Sequence, residues 1–164
     1  MATSRVFLVR HGATVLSAED RFAGSTDAEL SEEGREQARR LAERLAGERV
    51  AEVYASPLGR AAETAAIVAH RHGLAPVPQD GLREIDHGRW EGLRRAEVEQ
   101  RFPEEYAAWE ADPFTFAPQG GESGLSVMAL PVLREIVLRH GGERMLVVSH
   151  KATIRLFHRF VGQM

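Results

Sequence analysis

The stretch Phe7-Leu8-Val9-Arg10-His11-Gly12 decides how this chain is read. An apolar run, Val6 to Val9, gives way at once to an arginine, a histidine and a glycine. Four apolar residues without alternation suit a strand covered on both faces, as in a parallel sheet. The run is expected to be a central strand whose carboxyl end delivers His11 into an anion-binding turn.

Two other segments repeat the pattern. Val50 to Ala55 is a second strand, followed by Ser56, Pro57 and, one helical turn on, Arg60. Met145 to Val148 is a third, followed by Ser149 and His150. Open α/β sheets bind ligands beyond the carboxyl ends of their strands. Two arginines and two histidines are therefore expected at one sheet edge. Arginine suits bidentate contacts to phosphate or carboxylate oxygens. The helix after the second strand adds its N-terminal N–H groups. A neutral imidazole in such a cluster can attack phosphorus and become a phosphohistidine. It then needs an acid to protonate the departing oxygen, and Glu84 and Asp86 are both candidates. A carboxyl beside bound phosphate tends to keep its proton, as that role requires. No GxxxxGK[ST] or GxGxxG pattern occurs, which excludes the common nucleotide-binding folds.

Between these strands the chain alternates element types. Arg10 to Leu30 reads as a long loop. Ser31 is an N-cap with Glu32 and Glu33 in the first turn, and Ala38, Leu41, Ala42 and Leu45 follow at helical spacing up to Gly47. Pro57 suits the start of a helix that runs to about His72. Pro76 to Pro78 suits a short edge strand. Gly81 to Gly92 is irregular, with helices expected at about Leu93–Arg101 and Pro103–Ala111 and a loop from Asp112 to Glu122. A helix is expected from Ser123 to His140, with Pro131 marking a kink or its true start. The final helix runs from Lys151 to about Val161. The fold class is α/β, a three-layer sandwich with a mainly parallel central sheet flanked by helices. A single domain over 1–164 is expected, with an irregular and helical insert at about 81–122.

The 164 residues are 43% apolar and 27% charged, with net charge -3. Nothing here resembles the basic footprint of a nucleic-acid binder. There is no cysteine, which removes disulfides, thiolate metal sites and a cysteine nucleophile. No apolar run is long enough for a membrane span or a signal peptide, and a cytoplasmic protein is expected. Of the 21 basic residues only Lys151 is lysine. Compositional bias accounts for most of the arginines, so only those near the site carry meaning.

Five blocks, in order, resemble the histidine phosphatase superfamily, in its phosphoglycerate mutase-like branch. They are Arg10-His11-Gly12; Ser56-Pro57-Leu58-Gly59-Arg60 with Thr64-Ala65; Leu82-Arg83-Glu84 with Gly88 and Trp90-Glu91-Gly92; Gly120-Gly121-Glu122-Ser123; and Val148-Ser149-His150. Asp27 to Gly34 with Gln37-Ala38 also matches. The resemblance implies that His11 is the phosphorylated nucleophile. It implies that Arg10, Arg60 and His150 hold the phosphoryl oxygens, and that Glu84 is the acid and then the base. Ser17, Arg21, Gly24 and Lys151 are further candidates for contact with substrate. No metal or cofactor is implied. The expected partner is a small phosphorylated substrate, with no nucleic acid and no membrane; a homodimer is compatible.

Three positions depart from the family pattern: Ala13 where Glu is frequent, Ser17 where Asn is frequent, and Lys151 where Gly is usual. They bear on substrate identity more than on reaction type, and Lys151 is placed to reach a second anionic group or to stay solvated. Family members usually continue past the last helix into another strand, whereas the chain stops at Met164. The helix around Ala129-Leu130-Pro131 is also short by a residue or two; missing residues or a truncation account for both. His70, His72, His140 and His158 lie near helix ends and read as structural, while His87 is nearer the site. Trp90 reads as core or pocket wall, and Trp109, Phe114 and Phe116 as anchors of the insert.

The expected activity is phosphomonoester hydrolysis through phosphohistidine. Glu84-Ile85-Asp86-His87-Gly88 stands where mutases carry a Glu-Arg-His-Tyr-Gly type block, in a shorter chain. That favours hydrolysis over phosphoglycerate mutase-type transfer. A catalytically silent phospholigand-binding or scaffold protein is the alternative of another class; the presence of both His11 and Glu84 argues against it.

Overall fold

The apolar runs form parallel strands whose side chains alternate between two helical layers. The computed structural model describes residues 3–126 and 129–161. Strands β1 (Arg5–Arg10), β2 (Glu52–Ala55), β3 (Val77–Pro78) and β4 (Arg144–Ser149) make one parallel sheet in the order β1-β4-β2-β3. On one face Phe7, Val9, Val53, Ala55, Leu146 and Val148 pack against helices α2 (Glu32–Leu45) and α3 (Gly59–His70). On the other, Val6, Leu8, Tyr54, Met145 and Val147 meet α6 (Ala129–Arg139) and α7 (Lys151–Val161). The period of two along each strand thus builds the three layers.

β1 is not the central strand expected. It is an edge strand of the described sheet, and β4 lies between it and β2. Met145 to Val148 are wholly buried, whereas in β1 only Val9 is buried, and it keeps 8% exposure. The reason is that hydropathy reports whether the two faces of a strand are covered, and β1 has helices on both. Whether its edge is paired leaves no trace in side-chain polarity. The prolines did mark the other edge, at β3.

The remaining elements sharpen the expected boundaries. The Arg10 to Leu30 loop contains a one-turn helix, α1 (Val15–Ala18), capped reciprocally by Thr14 and Ser17. Ser31 caps α2 as expected, its hydroxyl accepting the Gly34 N–H at 3.1 Å. Helix α3 begins later than Pro57 implies, with Leu58 in an extended conformation as its N-cap. Pro131 is the third residue of α6, inside the first turn, where no intrahelical bond needs its missing N–H. Of the stretch expected to precede it in that helix, Gly124–Ser126 is a 3-10 turn, while 127 and 128 lie outside the described residues. The segment after β3 carries α4 (Arg95–Arg101) and α5 (Pro103–Ala111) around Trp90, Val98 and Tyr106. Trp90 is core, its indole N–H donating to Glu105 at 2.9 Å.

The first turn of α2 is pressed against the turn that holds His11. A methyl group on Gly34 would lie 2.1 Å from the Ala13 carbonyl oxygen, and one on Gly12 would lie 2.4 Å from that of Gly34. In an open helix Gly→Ala adds about 0.5–1 kcal/mol of stability. Here Gly34→Ala is expected to destabilise by about 1–3 kcal/mol, because backbone must move. Urea denaturation checks this; a stabilised or unchanged variant would show that the two backbones are not in contact.

Candidate active site

The parallel ladder continues one residue past each strand. The His11 N–H donates to Ser149 O at 3.1 Å, and the Ser56 N–H to Val148 O at 3.0 Å. The chain therefore leaves the sheet at His11, Ser56 and His150 on one edge. The His11 and His150 rings stand 5.1 Å apart, tilted at 58°.

His11 has a defined tautomer. Its Nδ1 lies 2.7 Å from the Gly12 carbonyl oxygen, which can only accept, so Nδ1 carries the proton. Nε2 is left with the lone pair. Burial pushes the His11 pKa down to about 4; the bond to Gly12 opposes this, and the Arg60 and Arg10 charges reinforce it. The turn itself is locked. The Gly12 N–H donates to Thr64 Oγ1 at 3.1 Å, the Ala13 N–H to Gln37 Oε1 at 2.9 Å, and the Ser31 N–H to Ala13 O at 2.9 Å. These bonds use the main chain of Ala13, so the short side chain there costs the turn nothing.

Arg60 and His150 are buried, at 1% and 0% exposure, and each keeps one polar atom without a partner among the described residues. The Arg60 guanidinium donates through Nη1 to Thr26 O at 2.7 Å, and through Nη2 to Gly24 O at 2.8 Å and to Ala23 O. It clamps the loop that forms one wall, and its Nε is free. Burial works against its charge, opposed by Glu84, Asp27 and Glu91. His150 Nε2 meets Ser56 Oγ at 2.8 Å, and that oxygen already accepts the Leu58 N–H at 3.3 Å. The buried hydroxyl proton needs an acceptor and finds it in His150 Nε2, so the ring N–H is on Nδ1, the atom left without a partner. Burial first, then Arg60, His11 and Arg10, push the His150 pKa down to about 2.

A cavity of about 150 Å³ opens over His11. Its walls include Arg10, Ser17, Arg21, Gly24, Arg60, Glu84 and Lys151, so the structure brings these expected residues together. His150 is the exception. It is fully buried, is bonded to Ser56 and does not line the cavity. Arg21 lines the cavity but is engaged with Glu19, with Glu97 at 3.7 Å and with Gly92 O at 2.8 Å. The Ser17 hydroxyl is likewise spent on its helix cap, accepting the Thr14 N–H at 2.8 Å.

Of the two candidate acids, only Glu84 faces the cavity. It is seated on the first turn of α7: Oε1 accepts the Thr153 N–H at 3.2 Å and Oε2 the Ala152 N–H at 3.1 Å. Asp86 instead accepts the Gly88 N–H at 2.7 Å. His87 lines the cavity with its pKa lowered by burial, edge-on to Phe22. Trp109 is more than the expected anchor, since it packs on Trp90 and also lines the cavity; Phe114 and Phe116 line a smaller adjoining one. Thr14, Asp20, Arg95 and Arg155 complete features the sequence reading missed. Only Arg155 left a signal, one helical turn after Lys151; Arg95 comes near through the Arg21–Arg94 bridge, which no local pattern announces.

The sequence profile described as histidine phosphatase superfamily (branch 1) matches residues 6–163. The chain belongs to that superfamily. It is 36% identical over 156 residues to phosphoserine phosphatase 1 of Hydrogenobacter thermophilus, covering 94% of this chain and 74% of that one. It is also 36% identical to the glucosyl-3-phosphoglycerate phosphatase of Mycolicibacterium vanbaalenii, covering 94% and 72%. Among solved structures, Bacillus stearothermophilus YhfR superposes with a TM-score of 0.91 at 35% identity, over 99% of this chain and 81% of that one. The fold described above, a parallel sheet between helical layers, is thus one this chain shares with that solved structure.

The two buried imidazoles tie stability to pH. An unfolded histidine titrates near 6.5, whereas folded His11 and His150 refuse protons down to about 4 and about 2. As pH falls below 6.5 the unfolded chain gains protons that the folded one does not, so stability drops. His150→Gln is expected to flatten this decline between pH 6.5 and 4 in urea titrations. An unchanged slope would mean that His150 is protonated in the fold.

Proposed function

We propose that the chain hydrolyses a small phosphorylated metabolite through a phosphohistidine on His11, without a metal. The observation that carries this reading is the His11 Nε2 lone pair at the base of a cavity walled by Arg10, Arg60 and Glu84. In the first step Nε2 attacks phosphorus and forms the N–P bond as the P–O bond to the alcohol breaks. Glu84 gives its proton to the departing oxygen. In the second step Glu84 takes a proton from water, whose oxygen attacks phosphorus and expels His11 with phosphate as product.

Charge on the phosphoryl oxygens is met by Arg10 and Arg60 from the cavity wall. His150 does not line the cavity, but its ring stands 5.1 Å from that of His11 and its buried Nδ1–H has no partner among the described residues, so a phosphoryl group on His11 is the acceptor assigned to it. Ser56 acts by setting the His150 tautomer. Arginine cations and a protein nucleophile together supply what a metal would, and metal independence is part of the proposal. The phosphatases among the relatives support transfer to water over a mutase or a silent scaffold. A cytoplasmic location completes the reading; no described helix is long and apolar enough to cross a membrane.

Turnover of p-nitrophenyl phosphate is expected to survive excess chelator; chelator-sensitive turnover would end the metal-free scheme. His11→Ala is expected to abolish the acid-labile phosphoenzyme trapped from labelled substrate. Glu84→Gln is expected to slow turnover about a hundredfold or more while phosphate still binds. An unaltered rate would move the acid role elsewhere. The activity profile is expected to be bell-shaped in pH, since His11 must be neutral while Glu84 is protonated.

A further inference from the structure

Two walls of the cavity meet at one carboxylate that lies outside it. One wall is the loop from Ala23 to Thr26, whose carbonyls Arg60 holds. The other is the segment from Glu84 to His87, which brings both of those side chains to the cavity. Glu91 does not line the cavity, yet it bonds to both walls. Its Oε1 accepts the Ser25 N–H at 2.8 Å from the first and the His87 N–H at 3.0 Å from the second. Its Oε2 accepts the Thr26 hydroxyl at 2.9 Å. The walls touch here: a methyl group on Gly24 would lie 2.0 Å from the Ile85 carbonyl oxygen and 2.5 Å from Glu91 Oε1. The main chain around Glu91 is itself fixed, its N–H donating to Gly88 O at 3.1 Å and that of Gly92 to Phe22 O at 2.7 Å. On its other side the Glu84 segment is bonded to α7. Among the described residues, the hydrogen bonds that join it to the loop are those of Glu91.

We infer that Glu91 is a positioning residue: by joining the loop held by Arg60 to the segment that carries Glu84, it sets where the acid stands relative to the phosphoryl group. It touches no reacting atom and acts through the two walls. Displacing a catalytic group by about 1 Å costs up to about a hundredfold in rate. Arg10 and His11 come from the end of β1, so loss of Glu91 falls on proton donation by Glu84 more than on attack by His11. Glu91 also brings a charge. Burial lowers the Arg60 pKa, and Glu91, after Glu84 and Asp27, opposes this. Glutamine separates charge from position. Its amide oxygen can accept both N–H groups while its NH2 faces the Thr26 hydroxyl, which can accept in turn.

This rests on the hydrolase reading with Glu84 as the acid, and the test separates the two. The probes are glycerol 3-phosphate, whose alkoxide needs a proton to depart, and 2,4-dinitrophenyl phosphate, whose phenolate leaves without one. Glu84→Gln in the same assay shows the signature of a lost acid. Glu91→Ala is expected to lower kcat/KM for glycerol 3-phosphate by about tenfold or more, and for the dinitrophenyl ester by less than about threefold. Glu91→Gln is expected to stay within about threefold of the unaltered enzyme on both esters. Glu91→Asp is too short to reach both walls and is expected to follow Glu91→Ala; should the latter fail to fold, it decides. Equal losses on the two esters in the Ala and Asp variants reveal a merely structural role and overturn the inference, as does an unaltered rate. A Gln variant as impaired as Ala assigns the effect to charge and overturns it too. No turnover of either ester by the unaltered enzyme overturns the hydrolase reading instead, and equal losses in Glu84→Gln overturn Glu84 as the acid.

Discussion

The pairing of β4 with both β1 and β2 is the constraint on which the rest depends. Its register sets Val9 beside Val148 and Ala55 beside the same residue, so three chain segments leave the sheet at one level. The ladder bonds of the His11 and Ser56 N–H groups carry that alignment into the site. Parallel pairing matters because it puts the carboxyl ends on one side. An antiparallel neighbour would have sent His150 to the opposite edge from His11.

A second layer of backbone bonds turns this alignment into a cavity. Arg60 holds the carbonyls of residues 23, 24 and 26, and Glu91 accepts the Ser25 N–H at 2.8 Å and the Thr26 hydroxyl at 2.9 Å. The loop after α1 is thereby gripped from two sides. Arg60 ties the wall through both Nη atoms, which leaves only its Nε without a partner among the described residues. The opposite wall is tied through Ser149 Oγ to Leu82 O at 2.7 Å and Thr153 Oγ1 to Arg83 O at 2.8 Å, and these bonds seat Glu84 on α7. His11, Arg60 and Glu84 are held by bonds made largely to main chain, and the side chain of Ala13 takes no part in them.

Much of this was legible in the chain. The three apolar runs and the polar residues that follow them announced an α/β sheet with a cationic edge. Ser31, the prolines at β3 and the position of Pro131 marked boundaries by local backbone chemistry. Other features had no local signature. The edge position of β1 was hidden because face burial and edge pairing are independent. The residues alone leave Glu84 and Asp86 both open and the family resemblance favours Glu84; only the structure shows that Glu84 reaches α7 while Asp86 accepts a bond in its own turn. His150 is buried out of the cavity wall and bonded to Ser56, 94 residues away.

The sequence by itself determined the sheet, the order of its helices and the residue types at the strand ends, because periodicity and turn chemistry act over a few residues. Tertiary structure alone decided which nitrogen of His11 holds the lone pair, and which donors of Arg60 and His150 remain unspent. It also decided which cations share one cavity. Those outcomes depend on contacts between segments far apart in the chain, and the opening stretch of Arg10, His11 and Gly12 acquires its chemistry only through them.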